Sequence, residues 1–304
     1  ITNGTQEGLS LLTQLFVLNQ ARINLSRCHI VTESPCYSGA WHSFNYYGAQ
    51  VTAVDVDEQG ICVSRMPECS TQLCYVTPSH QYPLGSKLSL SRRKKLLLWA
   101  QRVGAYIIED DYDAVFSWEE KPLSALKSMD SCDRVIYAGT FSKTLGPGIR
   151  LGYLVCPDSI LESVQSMKAL NNSGSNWLFQ QFLAEFMHNQ VFYTHLSKLS
   201  CVYEERQRLL HEGLLRLFPE GKIWGHAAGL HLTLITPLSV EFIQTLRQRC
   251  LRAGVRFDTL NEMANGSECL WQQMNNQSVI LFGFGSLNLQ QLQKVLTEIG
   301  RAHV

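Results

Sequence analysis

The chain has 304 residues, 45% of them hydrophobic and 17% charged, with 13 Phe, 11 Tyr and 6 Trp, a balance that supplies a sizeable core and excludes disordered and low-complexity classes. Its 26 Lys and Arg are offset by 26 Asp and Glu, so it lacks the general basic field that holds nucleic acid or an anionic membrane surface. No stretch approaches the ~18 apolar residues of a membrane-spanning helix; the nearest, Leu9 to Leu18, is broken by Ser10, Thr13 and Gln14.

The first residues, Ile-Thr-Asn-Gly, carry neither an initiator Met nor a secretory signal, so a preceding segment is expected. From there to about residue 155, short β-branched runs alternate with turns and helical stretches. Strands are expected at His29–Thr32, Val51–Val56, Gln72–Val76, Ala105–Glu109 and Val135–Gly139, and a helix at Ser91–Val103. Such alternation predicts an α/β domain with a largely parallel sheet and helices on its faces. Pro157 and Asp158 open a nearly Gly-free run to about Phe218, read as helices interrupted at Ser173–Gly174. Beyond it come a strand at His231–Thr236, a helix at Glu241–Ala253, a strand at Val279–Phe284 and a helix at Leu289–Ile299, a smaller α+β unit. The expected division is therefore a large domain over 1–157, bridging helices over 158–218 and a small domain over 219–304. Ten scattered cysteines with no C-x-x-C pair fit reduced thiols in a cytoplasmic protein better than disulfides, and speak against a zinc site.

Four stretches carry candidate chemistry. Asn3-Gly4-Thr5-Gln6 precedes an apolar helical run, and a Gly-Thr turn feeding a helix N-terminus offers free N–H groups to a phosphate; a plain N-cap needs only Thr5. Tyr37 follows the first strand and could stack on an aromatic ring or simply pack in its turn. In Gly104-Ala-Tyr-Ile-Ile-Glu-Asp-Asp-Tyr-Asp113 a strand ends in acids, with Asp110 and Tyr112 two apart and so on one face. An aspartate there could hold a pyridine nitrogen protonated and the phenol could donate to the ring's 3-oxygen; the plainer alternative is a solvated strand end. In Gly139-Thr-Phe-Ser-Lys-Thr144, continuing to Arg150, a strand runs into a hydroxyl- and glycine-rich loop, which in an open parallel sheet lies where ligands bind. Lys143 is a candidate nucleophile toward an aldehyde, with Thr140 and Ser142 as hydroxyls and Arg150 as a forked phosphate donor. Alone, each is ordinary; together they describe a pyridoxal-phosphate pocket.

At this point the sequence resembles fold-type I pyridoxal-phosphate proteins, and within them the aminotransferase-like domain of the MocR regulators, a branch of the GntR transcription factors. The matching landmarks are Gly4-Thr5-Gln6, Glu33-x-Pro-x-Tyr37, Thr77-Pro-Ser-His-Gln-Tyr-Pro83, Glu109-Asp-Asp-Tyr-Asp113, Gly139-Thr-Phe-Ser-Lys-Thr144, Pro147-Gly-x-Arg-Leu-Gly-Tyr153 and Gly229-Leu-His231. The resemblance implies pyridoxal 5'-phosphate as cofactor, Lys143 as the catalytic lysine of an internal aldimine, Asp110 on the pyridine nitrogen, Tyr112 on the 3-oxygen and Tyr37 on the ring. Arg150, Ser142, Thr140 and the amides of Gly4, Thr5 and Gln6 would hold the phosphate, with His80 and Gln81 near the ring oxygen. It also implies a homodimer, a small-molecule effector or amino substrate, and DNA binding through an N-terminal winged helix-turn-helix outside this chain. Family members usually read Arg-Leu-Gly-Phe near the C-terminal strand, the arginine clamping a substrate carboxylate; here Val279-Ile-Leu-Phe-Gly-Phe284 puts Leu281 at that place. The expected role is a sensor of pyridoxal phosphate or an amino compound, with a catalytic aminotransferase as the alternative.

Overall fold

The computed structural model describes residues 1–24, 27–118, 123–260 and 277–303. Their strands form two sheets. In the larger, β1 (His29–Ser34), β2 (Gln50–Asp57), β3 (Gly60–Ile61), β4 (Leu73–Val76), β5 (Tyr106–Asp111), β6 (Val135–Thr140) and β7 (Gly152–Val155) lie in the order β3-β2-β1-β4-β5-β6-β7. The five inner strands are parallel and the two edge strands antiparallel.

Neighbouring residues of the inner strands face opposite sides, and each side is apolar, as a sheet covered on both faces demands. Ile30, Tyr75, Ile108 and Ile136 pack beneath α1 (Thr5–Asn24), α2 (Ser38–Tyr46) and α5 (Asp158–Asn172). Val31, Cys74, Ile107 and Val135 pack against Leu96, Trp99 and Ala100 of α3 (Leu90–Val103) and against Leu126 of the short α4 (Leu126–Met129). Ser89 starts α3 by accepting the N–H of Arg92, and Gly104 stops it at φ 80°.

The helical run after Pro157 is α5, α6 (Trp177–His188) and the long α7 (Val191–Leu217). The expected interruption is present at Ser173, which adopts φ 51°, and a second, unexpected one falls at Gln190, at φ 61°. The smaller sheet, in the order β10-β11-β9-β8, is antiparallel throughout and consists of β8 (Lys222–Trp224), β9 (His231–Thr236), β10 (Asp258–Thr259) and β11 (Ser278–Gly283). Leu232, Leu234, Ile280 and Phe282 turn one face of it to α7, α8 (Val240–Arg252) and α9 (Leu289–His303). The other face carries His231, Thr233, Ile235, Val279 and Leu281 and meets the 80–85 segment of the large sheet's loops, where the Thr233 hydroxyl donates to the Pro83 carbonyl at 2.6 Å. The strands β3, β7, β8 and β10, of two to four residues, and the helices α2 and α4 had no counterpart in the sequence expectation.

Candidate active site

A cleft of about 350 Å³ opens at the carboxyl ends of the parallel strands, the place an open α/β sheet provides for ligands. It is lined by Tyr75 and Thr77 from β4 and its end, Asp110 and Tyr112 from β5 and its end, and Thr140, Ser142 and Lys143 from β6 and its loop. Thr5, Gln6, Tyr37, Tyr82, Pro147 and Arg150 complete the wall.

The acid floor is built by strand alternation. Asp110 is 5% exposed; Tyr75 donates its hydroxyl to Asp110 Oδ2 at 2.7 Å, while Oδ1 is buried without a hydrogen-bond partner among the described residues. Burial pushes this carboxyl up to about 7, against the pull of the Tyr75 hydrogen bond and Lys143. The flanking acids turn elsewhere: Asp111 accepts the Tyr137 hydroxyl at 2.6 Å, and Glu109 accepts the amides of Leu126 and Lys127, with Arg93 at 4.0 Å. The run is therefore no solvated strand end. Behind Asp110 lies Glu33, fully buried, with Oε2 accepting the Thr77 amide and hydroxyl and Oε1 unpartnered among the described residues. Burial raises it to about 7 as well, and the Asp110 charge adds to the rise.

The opposite wall joins the chain's first residues to the loop before β7. Thr2 and Gly152 exchange two backbone hydrogen bonds at 2.8 and 2.9 Å, which sets the N-terminus of α1 beside that loop. Arg150, held at φ 50° and ψ 46°, donates to the Asn3 carbonyl at 2.9 Å. Gly4 adopts φ 87°, which disfavours any side chain, and a Cβ there would come within 2.6 Å of the Arg150 guanidinium and displace it. The Thr140 hydroxyl accepts the Ser142 amide at 3.2 Å and shapes the loop carrying the exposed Lys143. Below that loop, Nε2 of His195 from α7 lies 2.7 Å from the Thr144 carbonyl.

Of the residues singled out from the sequence, Thr5, Gln6, Tyr37, Asp110, Tyr112, Thr140, Ser142, Lys143 and Arg150 share the cleft, and Gly4 adjoins it. His80 and Gln81 do not line it. Tyr112 donates its hydroxyl to the His80 carbonyl at 2.9 Å, and Nδ1 of His80 stands 3.0 Å from Asp113. The His80 ring stacks on His231 at 4.4 Å and 29°, across the junction of the two sheets. One ligand atom each from His80, Asp113 and His231 falls within 4.8 Å of the others. A metal, however, must lie in the plane of each imidazole that binds it, and stacked rings send their lone pairs side by side. The two rings pack face to face, and burial together with His80 drives His231 well below the usual histidine range.

Tyr75, Thr77, Tyr82 and Pro147 also line the cleft but were not assigned a role from the sequence. Tyr75 and Thr77 are two apart leading out of β4, the same spacing that marked Asp110 and Tyr112, so alternation could have found them. Leu281 sits in an apolar cluster with Val56, Leu84, Ile235, Leu260 and Val279, against which Tyr82 packs. Arg247, Arg249, Arg252 and Arg256, on α8 and just after it, are absent from the cleft lining.

The chain matches the family described as aminotransferase class I and II over residues 1–266. It is 34% identical over 203 residues to the uncharacterized HTH-type transcriptional regulator YdeL of Bacillus subtilis, an alignment covering 66% of this chain and 44% of that protein. It is 34% identical over 209 residues to the probable rhizopine catabolism regulatory protein MocR of Rhizobium meliloti, covering 69% and 41%, and 29% identical over 303 residues to the pyridoxine biosynthesis transcriptional regulator PdxR of Corynebacterium glutamicum, covering 99% and 62%. The chain thus spans about half the length of the curated relatives it matches. Among solved structures it resembles the kynurenine aminotransferase of Pyrococcus horikoshii, with a TM-score of 0.86 at 23% identity, covering 99% of this chain and 74% of that one, a likeness of fold alone. With seven strands in this order and a family match running from the first residue through β10, the chain belongs to the aminotransferase class I and II family.

Proposed function

We propose that this chain is the pyridoxal-phosphate-binding, effector-sensing part of a MocR/GntR-type transcriptional regulator. The observation that carries this reading is a single cleft that joins an accessible amine, a buried carboxylate with one bare oxygen, and a cationic cradle at a helix N-terminus. Each piece fits the cofactor's chemistry. Asp110 Oδ1 supplies the acceptor that a protonated ring nitrogen needs, Lys143 the amine for its aldehyde, and Arg150 with the α1 N-terminus the donors for its phosphate. When bound, the cofactor supplies a carbonyl for amines and an electron-withdrawing ring.

The chain's own residues then have definite tasks. Asp110 would hold a proton on the ring nitrogen, and Tyr75, donating to Oδ2, favours the ionised form of Asp110 against its burial. Tyr37 and Tyr82, 6.1 Å apart and edge to face, wall the cleft against water. Thr140 and Ser142 add hydroxyls beside Arg150. Tyr112 faces the cleft, but its hydroxyl proton is given to His80, so service to a ring oxygen requires it to turn.

The regulator reading draws support from two relatives at 34% identity, one named an HTH-type transcriptional regulator and the other a catabolism regulatory protein. On it, DNA binding resides outside this chain, residues 1–157 form the cofactor domain, 158–218 bridge and 219–304 form a small domain. The protein is a cytoplasmic homodimer; no helix among the described residues is long and apolar enough to cross a membrane. The alternative, a working aminotransferase, is favoured by one observation: Lys143 and Asp110 stand together in the cleft.

Titration of the full-length protein with pyridoxal phosphate, followed by absorbance and by promoter affinity together, tests the reading. Saturable binding that changes DNA affinity is expected, and Lys143→Ala abolishes the absorbance change that accompanies joining of the aldehyde to an amine. DNA affinity indifferent to the cofactor, with turnover of amino acids, would establish the enzyme instead.

A further inference from the structure

We infer that the ligand accepted beside the cofactor is a primary amine with an apolar body and no α-carboxylate. This rests on the cofactor reading above and adds the chemical class of what the site admits. Among the described residues the cleft is walled by two cations, Lys143 and Arg150. The first is committed to the cofactor's aldehyde. The second is fixed at the α1 end of the cleft by its bond to the Asn3 carbonyl, where the phosphate is held.

The rest of the wall consists of phenols, hydroxyls, Pro147, the Asp110 carboxyl and the Gln6 amide, whose Nε2 is already given to the Gly39 carbonyl and the Ser43 hydroxyl. Toward the smaller sheet the cleft ends at Tyr82, which packs against the buried cluster of Leu84, Val279 and Leu281. The charge next to Leu281 on that sheet has the wrong sign for a carboxylate ligand: Asp258 is its register partner on β10, and its field helps raise the Tyr82 phenol above the usual range. Arg256, two residues before it, is paired with Asp258 at 3.2 Å. Residues 261–276 contain neither Lys nor Arg. A carboxylate entering beside Tyr82 exchanges water for the aromatic wall, and a buried anion without a partner is strongly disfavoured. An uncharged alkyl or aryl body gains from the same surface.

Matched pairs of ligands test this in the full-length protein loaded with pyridoxal phosphate. The absorbance of the bound cofactor and the thermal midpoint are followed during titration with phenylalanine, 2-phenylethylamine and phenylalaninamide. The amine and the amide, which lacks the negative charge at nearly the same size, are expected to half-saturate at concentrations at least tenfold below phenylalanine, and Leu281→Arg to narrow or reverse that ratio. Equal or tighter response to phenylalanine overturns the inference, as does an amide that behaves like the acid. Should Leu281→Arg fail to fold, the acid-to-amide comparison in the unaltered protein still separates the two outcomes. Absence of any cofactor absorbance would instead refute the cofactor reading itself, so the two failures are distinct.

Discussion

Asp110 and Glu33 are two carboxyls in one interior, each with a bare oxygen and each raised by burial from the usual 3.8 and 4.5 to about 7. A carboxyl with a higher pKa folded than unfolded binds its proton more tightly in the native state, so its contribution to stability is full below the unfolded value and is lost as pH rises toward the folded one. For the protein without cofactor, urea denaturation across pH 4.5 to 7 should therefore show these two groups lowering stability as pH increases. Asp110→Asn should flatten that slope; an unchanged slope would contradict the burial argument. The same variant should bind pyridoxal phosphate at least about tenfold more weakly, since hydrogen bonds to charged groups contribute roughly 1.5–3 kcal/mol. Gly4 offers a steric test. Alanine there meets both a left-handed backbone, costing roughly 1–2 kcal/mol, and the Arg150 guanidinium. Gly4→Ala should weaken cofactor affinity about tenfold or more by equilibrium dialysis with inorganic phosphate as competitor, and an affinity equal to the parent's would show that Arg150 does not depend on this contact.

At the level of elements, the inner strands were legible because their chemistry is local. Ile30-Val31, Ile107-Ile108 and Val135-Ile136 each feed both faces of the sheet, and only a strand covered on both sides has that pattern. The helices after Pro157 were legible for want of glycine. β3, β7, β8 and β10 escaped because a strand of two to four residues is made by its partner and carries no period of its own. The candidate site divides the same way. Lys143, Arg150 and Asp110 announce themselves by residue type at strand ends. Tyr75 is marked in the sequence only by its alternation with Thr77, and its role emerges once Asp110 is found opposite its hydroxyl. The His80–His231 stack pairs residues 151 positions apart, which no local pattern encodes. One element gives a plain stability test: Ser89 caps α3, and Ser89→Ala should cost about 1 kcal/mol in chemical denaturation with cofactor affinity unchanged. A loss confined to cofactor affinity would mean that α3 reports on the cleft in a way its packing does not explain.

Across the whole molecule, Leu170, Trp177, Leu178 and Phe182 stand 84%, 73%, 60% and 53% exposed on α5 and α6, large apolar side chains of the kind that mark interaction surfaces when they group together. The proposed homodimer puts them to use, and Trp177→Ser combined with Phe182→Ser should shift sedimentation from dimer toward monomer; an unaltered dimer would place its interface elsewhere. The longest element, α7, has a mechanical meaning of its own. Near its start it holds the carbonyl next to Lys143 through His195, and farther along Arg206 grips the Gly285 carbonyl while Tyr203 and Leu210 pack with the smaller sheet. Twenty-seven residues make a rod ~40 Å long. A swing of about 5° over half that length carries one end by ~2 Å, and hydrogen bonds break over smaller distances. The rod is therefore a lever: whatever tilts the smaller sheet must either tug the lysine loop or snap its tie to His195.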